Sequence, residues 1–499
     1  MRSKTQSIKK SILALVMLFA GLVGWQIEAS AQTTNYPQLH WKLKNPGVAT
    51  VNGNSSKGLI DFVTDVDGDG VSDVVYATGA SDTTVYLYSG KQKELSGNLI
   101  GQPHQIWKKQ VSTLALNTKV NAIAAHQDVN NSSNNGVPDG KQEILVAYTN
   151  NTGNGNELIS MLDGATGTIL KSYNAGIAYL IMFLKSIPDV NNDHIKDIVA
   201  SVRTSGTANI IVLDGSTLTP IWTYTYNSNY TEIRDIAIVD DVGGPNNIPD
   251  GIPDVVATTG GGDSKKLLIL SGAGAPGASG STVSLLLNSR TSTNGLVDSI
   301  KQMNGLAQDI LFMSNDTSPT TVSLARIKGG DLNNNEWKTI GLASDYQLMK
   351  AASDINGDAM QDILLGYSNS LKMVSGTNGS TLWEKTNFPM TLPPYGGPAY
   401  DYSADTVLDL NGDQVDDVAA LKNTSPTTVY LLKGQDGSDI WNYPLDNFLT
   451  KSSRVFAKTD LDGDQIPDVV VAGDNGDLYV IASKQGSSGG GGKYNLDQP

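Results

Sequence analysis

The sequence predicts an all-β fold: a single β-propeller of about eight four-stranded blades, whose ring is closed by the N-terminal strand. Three observations carry this prediction. An Asp-rich turn recurs along the chain, a strand signature that includes Trp follows most of these turns, and the two ends of the chain complement each other. Repeats that each supply a small sheet at this period are typical of propeller blades.

The Asp-rich turn is clearest at residues 65–73, where Asp-Val-Asp-Gly-Asp-Gly-Val-Ser-Asp precedes the apolar run Val74-Val75-Tyr76-Ala77. The pattern begins again at Asp189, Asp354, Asp409 and Asp460, and longer or degraded versions begin near Asp128, Asp241 and Asp298. The eight starts are about 56 residues apart on average. The predicted unit is four short strands, with the Asp loop between the first two and a Gly turn between the last two.

The two chain ends predict how the ring closes. The strand Leu478-Tyr479-Val480-Ile481 has no Trp strand after it, whereas His40-Trp41-Lys42-Leu43 resembles Ile106-Trp107-Lys108-Lys109 and precedes the first complete unit. We therefore expect the N-terminal strand to complete the last blade, which leaves no free sheet edge. Every Trp except Trp25 stands at this repeat position, and we expect these rings to pack one blade on the next.

Composition and the chain ends bound the class of protein. Residues 1–31 have the basic, apolar and small-residue segments of a secretory signal peptide. We predict a propeller over 32–485 and a flexible Gly/Ser-rich tail over 486–499. The mature chain is expected to be secreted or at the cell surface, monomeric and without a membrane span. The net charge of −15 argues against nucleic acid partners, and the absence of Cys excludes disulfides.

The Asp loops predict metal sites, because they place oxygen side chains at alternate positions of a tight turn and add a carboxylate from the next strand. Hard oxygen ligands at this density suit Ca²⁺, and we predict five or more ions per chain. The predicted ligands are Asp65, Asp67, Asp69, Asp73, Asp189, Asn191, Asp193, Asp197, Asp354, Asn356, Asp358, Asp362, Asp409, Asn411, Asp413, Asp417, Asp460, Asp462, Asp464 and Asp468. Metal in the long loops at Asp128 and Asp241 is left open, and the fifth unit, with only Asp298, Asn304 and Asp309, is expected to be metal-free.

The run Asp-Val-Asp-Gly-Asp-Gly-Val-Ser-Asp-Val-Val resembles FG-GAP repeats, the calcium-bearing blades of integrin α-subunits and of bacterial secreted proteins. The segments Leu162-Asp163-Gly164-Ala165-Thr166-Gly167 and Leu213-Asp214-Gly215 resemble turns of quinoprotein-type propellers. The first resemblance implies ligand binding on the face opposite the calcium loops. Integrin-type propellers have seven blades and quinoprotein propellers commonly eight, and the repeat count here favours eight.

Two aromatic connections are the candidate ligand sites on that opposite face, with Tyr226, Tyr230, Tyr395, Tyr400 and Tyr402 as candidate contacts or as packing within their own blades. We predict a non-enzymatic binding or adhesion module for an extracellular protein or polysaccharide, and we name no catalytic residue. The alternatives are a propeller enzyme, such as a calcium-dependent polysaccharide lyase or a quinone-dependent dehydrogenase, and a structural surface-layer component. Vicinal Cys residues, common in quinoprotein alcohol dehydrogenases, are absent.

Overall fold

The computed structural model consists of strands and their connections, and every regular element that it describes is a β-strand. It describes residues 37–44, 59–77, 83–92, 103–112, 118–129, 138–150, 156–177, 180–204, 206–227, 232–242, 250–260, 266–274, 285–291, 296–301, 308–315, 322–329, 335–342, 348–367, 369–390, 403–446, 449, 454–473 and 477–483.

The strands form eight antiparallel four-stranded sheets, here called blades 1 to 8, which confirms the predicted propeller. Strand β1 (Gln38–Leu43) precedes blade 1. Blades 1 and 2 contain β2 (Leu59–Val63), β3 (Asp73–Ala77), β4 (Thr84–Gln92) and β5 (Pro103–Gln110), then β6 (Val120–His126), β7 (Glu143–Asn150), β8 (Asn156–Leu162) and β9 (Ile169–Ile177). Blades 3 and 4 contain β10 (Leu180–Ile187), β11 (Asp197–Arg203), β12 (Thr207–Leu213) and β13 (Pro220–Asn227), then β14 (Glu232–Val239), β15 (Asp254–Gly260), β16 (Lys266–Leu270) and β17 (Leu285–Thr291).

The second half of the ring repeats this order. Blades 5 and 6 contain β18 (Leu296–Lys301), β19 (Gln308–Asn315), β20 (Val322–Ile327) and β21 (Asn335–Leu342), then β22 (Leu348–Ala351), β23 (Ile363–Tyr367), β24 (Ser370–Val374) and β25 (Thr381–Thr386). Blades 7 and 8 contain β26 (Ala404–Val407), β27 (Asp417–Lys422), β28 (Thr428–Leu432) and β29 (Asp439–Pro444), then β30 (Arg454–Thr459), β31 (Asp468–Ala472) and β32 (Leu478–Ala482).

Strand β1 closes the ring as the sequence predicts. It pairs antiparallel with β32, with Trp41 opposite Val480 and Leu43 opposite Leu478, so the last blade has the order β1-β32-β31-β30. One buried cluster joins this blade to blade 1 and includes Trp41, Val74 and Val470. The last blade therefore packs against the first.

The core lies between the blades rather than inside any one of them. Each buried apolar cluster is shared by two consecutive blades. The second strand of each blade is covered on both faces, so its residues form continuous apolar runs, as in β3 and β31, where every residue is buried. The outermost strands differ: in β25 and β29 only Trp383 and Trp441 are buried, and the other residues of these strands are exposed or half-buried.

No helix in the part of the chain that the structure describes is long and apolar enough to cross a membrane.

Candidate metal centres

The Asp loop of blade 1 folds around the carboxylate of its first residue. Asp65 Oδ1 accepts the N–H of Gly68 at 2.6 Å, and Asp65 Oδ2 accepts the N–H of Gly70 at 2.8 Å. Gly68 and Gly70 have φ of 84° and 93°, values that glycine adopts without a steric penalty. The carboxylate of the first acid therefore stabilises the turn through these hydrogen bonds to its backbone.

The other four predicted loops repeat this geometry with less suitable residues. The position of Gly70 is taken by His194, Ala359, Gln414 and Gln465, all with positive φ. Their N–H groups lie 2.7 to 2.8 Å from Oδ2 of the first acid. A non-glycine residue in this region is strained by roughly 1 kcal/mol or more, and such strain is concentrated at functional sites. The loop conformation is thus kept where the residue type opposes it.

The last acid of each loop begins the second strand and is buried. Asp73 is 0 % exposed; its Oδ2 accepts the N–H of Val66 at 2.7 Å, and its Oδ1 accepts the N–H of Gly90 at 3.2 Å. Burial, with repulsion from Asp67 and Asp69, raises the pKa of Asp73 to about 7. A cation among these oxygens would favour the ionised form and oppose that shift.

The same cause acts on the last acids of the other loops. Burial raises the pKa of Asp197 and Asp362 to about 6, that of Asp417 to about 7, and that of Asp468 well above its ordinary value. The neighbouring loop acids add repulsion in every case. Each loop therefore holds a carboxylate that a nearby positive charge would stabilise in its ionised form.

Two loops bring three carboxylates together. Asp65, Asp67 and Asp73 each place one oxygen within 4.8 Å of the others, and so do Asp460, Asp462 and Asp464. In the other three of the five predicted loops, Asn occupies the second ligand position. The amide of Asn411 donates to Asp417 at 2.8 Å, and that of Asn191 donates to Asp214 at 3.1 Å. The carboxylate and amide oxygens of these loops suit a hard cation such as Ca²⁺.

The two long loops, which the sequence left open, have the same frame. Gly140 N–H donates to Asp128 Oδ2 at 2.6 Å, and Gly251 N–H donates to Asp241 Oδ2, as Gly70 does to Asp65. The other oxygen, Oδ1, is buried in both Asp128 and Asp241, and no described residue hydrogen-bonds to it. A buried carboxylate oxygen without a donor is costly, and a bound cation would remove that cost. The structure therefore favours these loops as additional candidate centres.

Blade 5 is built differently, and the prediction that a degraded loop begins at Asp298 is wrong. Asp298 lies inside the innermost strand β18, opposite Leu311, where its Oδ2 accepts the N–H of Ala351 in the next blade at 2.9 Å. The residue that corresponds to Asp73 is Asp309, and Arg326 Nε donates to its Oδ2 at 2.7 Å. A guanidinium thus supplies the positive charge beside the last acid of this blade. Asn304 lies outside the described residues.

A recurring contact, which the sequence analysis missed, connects the last acid of six blades to the preceding blade through a glycine, whereas in the last blade Ser483 N–H donates to Asp468 at 3.3 Å. These glycines donate N–H to the last acid of their blade at 3.0 to 3.2 Å; they are Gly90, Gly164, Gly215, Gly272, Gly376 and Gly434. A Cβ at these positions would lie 1.8 to 2.1 Å from a backbone carbonyl oxygen of the loop. These glycines follow Ser, Asp or Lys in the sequence, and nothing in the sequence indicates their contact with the acid.

The carbonyl oxygens of the same glycines accept from the preceding blade. Nε1–H of Trp41, Trp107, Trp222 and Trp383 donates to Gly90, Gly164, Gly272 and Gly434 at 2.6 to 2.9 Å. His126 Nε2 lies 3.2 Å from the oxygen of Gly215, and Arg326 Nη1 donates to that of Gly376 at 2.8 Å. The predicted blade-to-blade role of the Trp residues is observed for these four rings. The side chain of Trp337 lies outside the described residues.

The candidate ligand-contact tyrosines are only partly described. Tyr226 lies in β13 and is half-buried against the cluster between blades 3 and 4, and burial raises its pKa. Tyr230, Tyr395, Tyr400 and Tyr402 lie outside the described residues. A ligand role for these tyrosines stays a prediction.

Comparison with known proteins bears on the fold. Sqt1 of Saccharomyces cerevisiae is similar over 83% of this chain and 93% of its own, with 11% identity and a TM-score of 0.52. Sqt1 of Chaetomium thermophilum, bound to the N-terminus of the ribosomal protein L10, is similar over 86% and 98%, with 9% identity and a TM-score of 0.50. BamB from Moraxella catarrhalis is similar over 89% of this chain and 99% of its own, with 12% identity and a TM-score of 0.46. No protein-family model and no curated protein matches the chain. At these identities the two Sqt1 structures show a common fold alone.

Proposed function

We propose that this chain is a secreted, calcium-binding β-propeller that acts as a non-enzymatic binding or adhesion module for an extracellular protein or polysaccharide. The observation that carries the proposal is the acidic loop repeated at one end of the blades. In two of these loops three carboxylate oxygens lie within 4.8 Å of one another. Gathering carboxylates in this way is unfavourable without a cation, since like charges repel.

The proposed role of calcium is to hold the loops and, through the last acid and its glycine, the contacts between blades. Asp73 is linked through Gly90 to Trp41 of the preceding blade. An ion that binds only the folded chain raises the free energy of unfolding. The loops at one end would then be structural, leaving the other end of the blades for partners, as the FG-GAP resemblance implies.

A binding module is consistent with the fold, since Sqt1 of Chaetomium thermophilum, which has a similar fold, is bound to the N-terminus of the ribosomal protein L10. A lyase would need a base near the metal. The base could be Lys, His or Arg; among the four histidines, His104 and His194 are exposed and His126 is buried between blades, whereas His40 lies beside the loop at Asp460. Burial lowers the pKa of His40. We therefore retain the lyase as the alternative, which an activity assay must exclude.

The proposal is tested by co-sedimenting the calcium-loaded mature chain with chitin and cellulose particles and by measuring its binding to immobilised collagen. We expect retention on at least one of these surfaces, and loss of retention when a chelator is present. A variant with Tyr395→Ser and Tyr400→Ser is expected to bind more weakly and to melt at the same temperature as the wild type.

The enzymatic alternative is tested in the same preparation by incubating the chain with soluble polyuronates and following the ultraviolet absorbance of the unsaturated product. A calcium-dependent rise that His40→Gln abolishes would replace the binding module with a lyase. Failure to bind any of the three surfaces would overturn the adhesion role. The calcium proposal would stand or fall separately, by the measured calcium content.

A further inference from the structure

Charged side chains recur at one position of the innermost strands. This position, called the ring position here, lies two residues before the residue that is opposite the last acid of the blade. It is occupied by Asp61, Lys185, Asp298, Lys350 and Asp405, and by Ala124, Ala237 and Ala457 in blades 2, 4 and 8. The carboxylates there bridge blades: Asp61 Oδ2 accepts the N–H of Ala125 at 2.7 Å.

A cavity of about 380 Å³ lies where blade 2 has alanine at the ring position. Its described walls come from the inner strands of blades 1, 2, 3 and 8, and its charged side chains are Asp61, Lys185 and Arg454. Small side chains at Ala122, Ala124 and Ala125 leave the space open. The volume is at the small end of the range for ligand pockets, which suits a compact molecule.

The wall of this cavity is cationic in an acidic protein. The described residues that line it include two positive side chains and one negative side chain, whereas the chain as a whole has a net charge of −15. Both oxygens of Asp61 accept backbone N–H groups, from Phe62 at 2.9 Å and from Ala125 at 2.7 Å. These amides reduce the repulsion that Asp61 would exert on an anion.

Among the described residues, Lys185 has no counter-ion of the kind that the matching lysine of blade 6 has. Lys350 occupies the ring position of blade 6, and its Nζ lies 2.9 Å from Asp405. Lys185 is exposed, and its Nζ donates to the backbone oxygen of Ile236 at 3.1 Å. Within the described part of the chain Lys185 forms no ion pair with a carboxylate. A lysine that lines a cavity and has no carboxylate partner among the described residues is a natural site for an anion.

We propose that this cavity binds a small oxyanion compound, a carboxylate or a phosphate of about the size of a short dicarboxylic acid. Lys185 binds the anionic group, Arg454 adds positive charge from blade 8, and Phe183 and Leu184 of blade 3 also line the site. This site is separate from the metal loops and does not depend on the proposed calcium.

Isothermal titration of the calcium-loaded mature chain with glutarate and with inorganic phosphate tests the proposal, and cadaverine serves as the cationic counterpart of glutarate. We expect saturable binding of at least one anion and none of cadaverine. Binding of glutarate alone identifies the carboxylate class, and binding of phosphate alone identifies the phosphate class. Absence of binding by both anions would overturn the proposal.

The variants assign the binding to the cavity. Lys185→Gln is expected to weaken anion binding about tenfold or more, because a hydrogen bond to a charged group is lost. Lys185→Arg retains the charge and should retain most of the affinity. The matched control is Lys108→Gln, an exposed lysine on β5 away from the cavity, which should bind as the wild type does. Equal affinity in Lys185→Gln and the wild type, or an equal loss in Lys108→Gln, would contradict the assignment.

Discussion

Glu157 is a fully buried carboxyl group outside the metal loops, 0 % exposed in β8. Its two oxygens accept hydrogen bonds from Thr149 Oγ1 at 2.6 Å and from Asn121 Nδ2 at 2.9 Å. Burial raises the pKa of Glu157 to about 7, although these two hydrogen bonds oppose the shift. The group is therefore protonated in the folded chain at pH values where it is ionised in the unfolded chain.

The sign of the pH effect follows from this difference. Below the unfolded pKa both states bind the proton; between the two pKa values only the folded state does, so the free energy of unfolding falls as pH rises towards about 7. Glu157 should contribute a loss of up to about 3 kcal/mol across this window. We expect Glu157→Gln to remove that loss, and to be more stable than the wild type at about pH 8 but not at about pH 5.

The measurement is urea unfolding of both proteins at the two pH values in saturating calcium. Titration of the loop acids is common to both proteins and cancels in the difference between them. An equal stability difference at the two pH values would show that Glu157 is ionised in the folded chain.

At the residue scale the sequence was most informative where chemistry repeats at fixed spacing. The first and last acids of five loops could be assigned from the pattern alone, because the hairpin needs its glycines and acids at those positions. The position of Asp298 could not be predicted, since the sequence alone does not distinguish an acid at the ring position from an acid in a degraded loop. The role of Arg326 beside Asp309 depends on a contact across strands that no local pattern reveals.

Among the elements, the outermost strands carry the hydrogen bonds that join neighbouring blades. Trp107 Nε1–H donates to the buried oxygen of Gly164 at 2.8 Å, and the indole ring packs where a Cβ at Gly167 would stand. Trp441 occupies the equivalent place in blade 7, but its buried Nε1 has no hydrogen-bond partner among the described residues. The two rings are therefore a matched pair that differs in one hydrogen bond.

We expect Trp107→Phe to destabilise the chain more than Trp441→Phe does, by about 1–3 kcal/mol, the cost of an unpaired buried acceptor. Both variants lose the same volume, so the difference in their free energies of unfolding isolates the bond. Denaturant melting of the two variants gives this difference. Equal destabilisation would mean that the indole N–H contributes nothing beyond packing.

The strands themselves were predictable because apolar runs and turns alternate so regularly. The predicted places of the loop, the Gly turn and the Trp strand are confirmed in blades 3, 6 and 7. The role of the glycine that joins the last acid to the preceding blade could not be predicted. It depends on a contact between two blades, which no pattern within a single hairpin reveals.

For the molecule as a whole, closure depends on β1 and on one buried lysine. Lys42 Nζ lies 2.6 Å from Asp446 and 3.2 Å from Asp477, and 4.5 Å from the centre of the Tyr479 ring. The lysine side chain is 10% exposed and that of Asp477 is 9% exposed. This ion pair fixes the N-terminal strand to the last blade.

Lys42→Met should destabilise the chain by about 3 kcal/mol, because Asp477 would remain buried without its cation. The control is Lys385→Met, whose partner Asp439 is 45% exposed and whose loss should cost at most about 1 kcal/mol. Thermal and denaturant melting of both variants in saturating calcium compares the two effects. If both variants lost the same small amount, Lys42 would not fix the closing strand.

Ring closure was the part of the architecture that the sequence predicted best, since a missing strand at one end and a spare strand at the other can be matched by eye. The cavity at the ring position could not be predicted, because it arises from inner strands of four blades and from the alanine at position 124. The identity of the partner depends on surfaces that repeats do not encode.

The most direct test of the account is elemental analysis of the purified mature chain, combined with thermal melting before and after chelation. We predict five or more calcium ions per chain and a large fall in melting temperature on chelation, since each site at a hundredfold excess over its Kd contributes about 2.7 kcal/mol. A chain without bound calcium, whose melting temperature is the same with and without chelator and added calcium, would contradict the account and make the acidic loops ordinary turns.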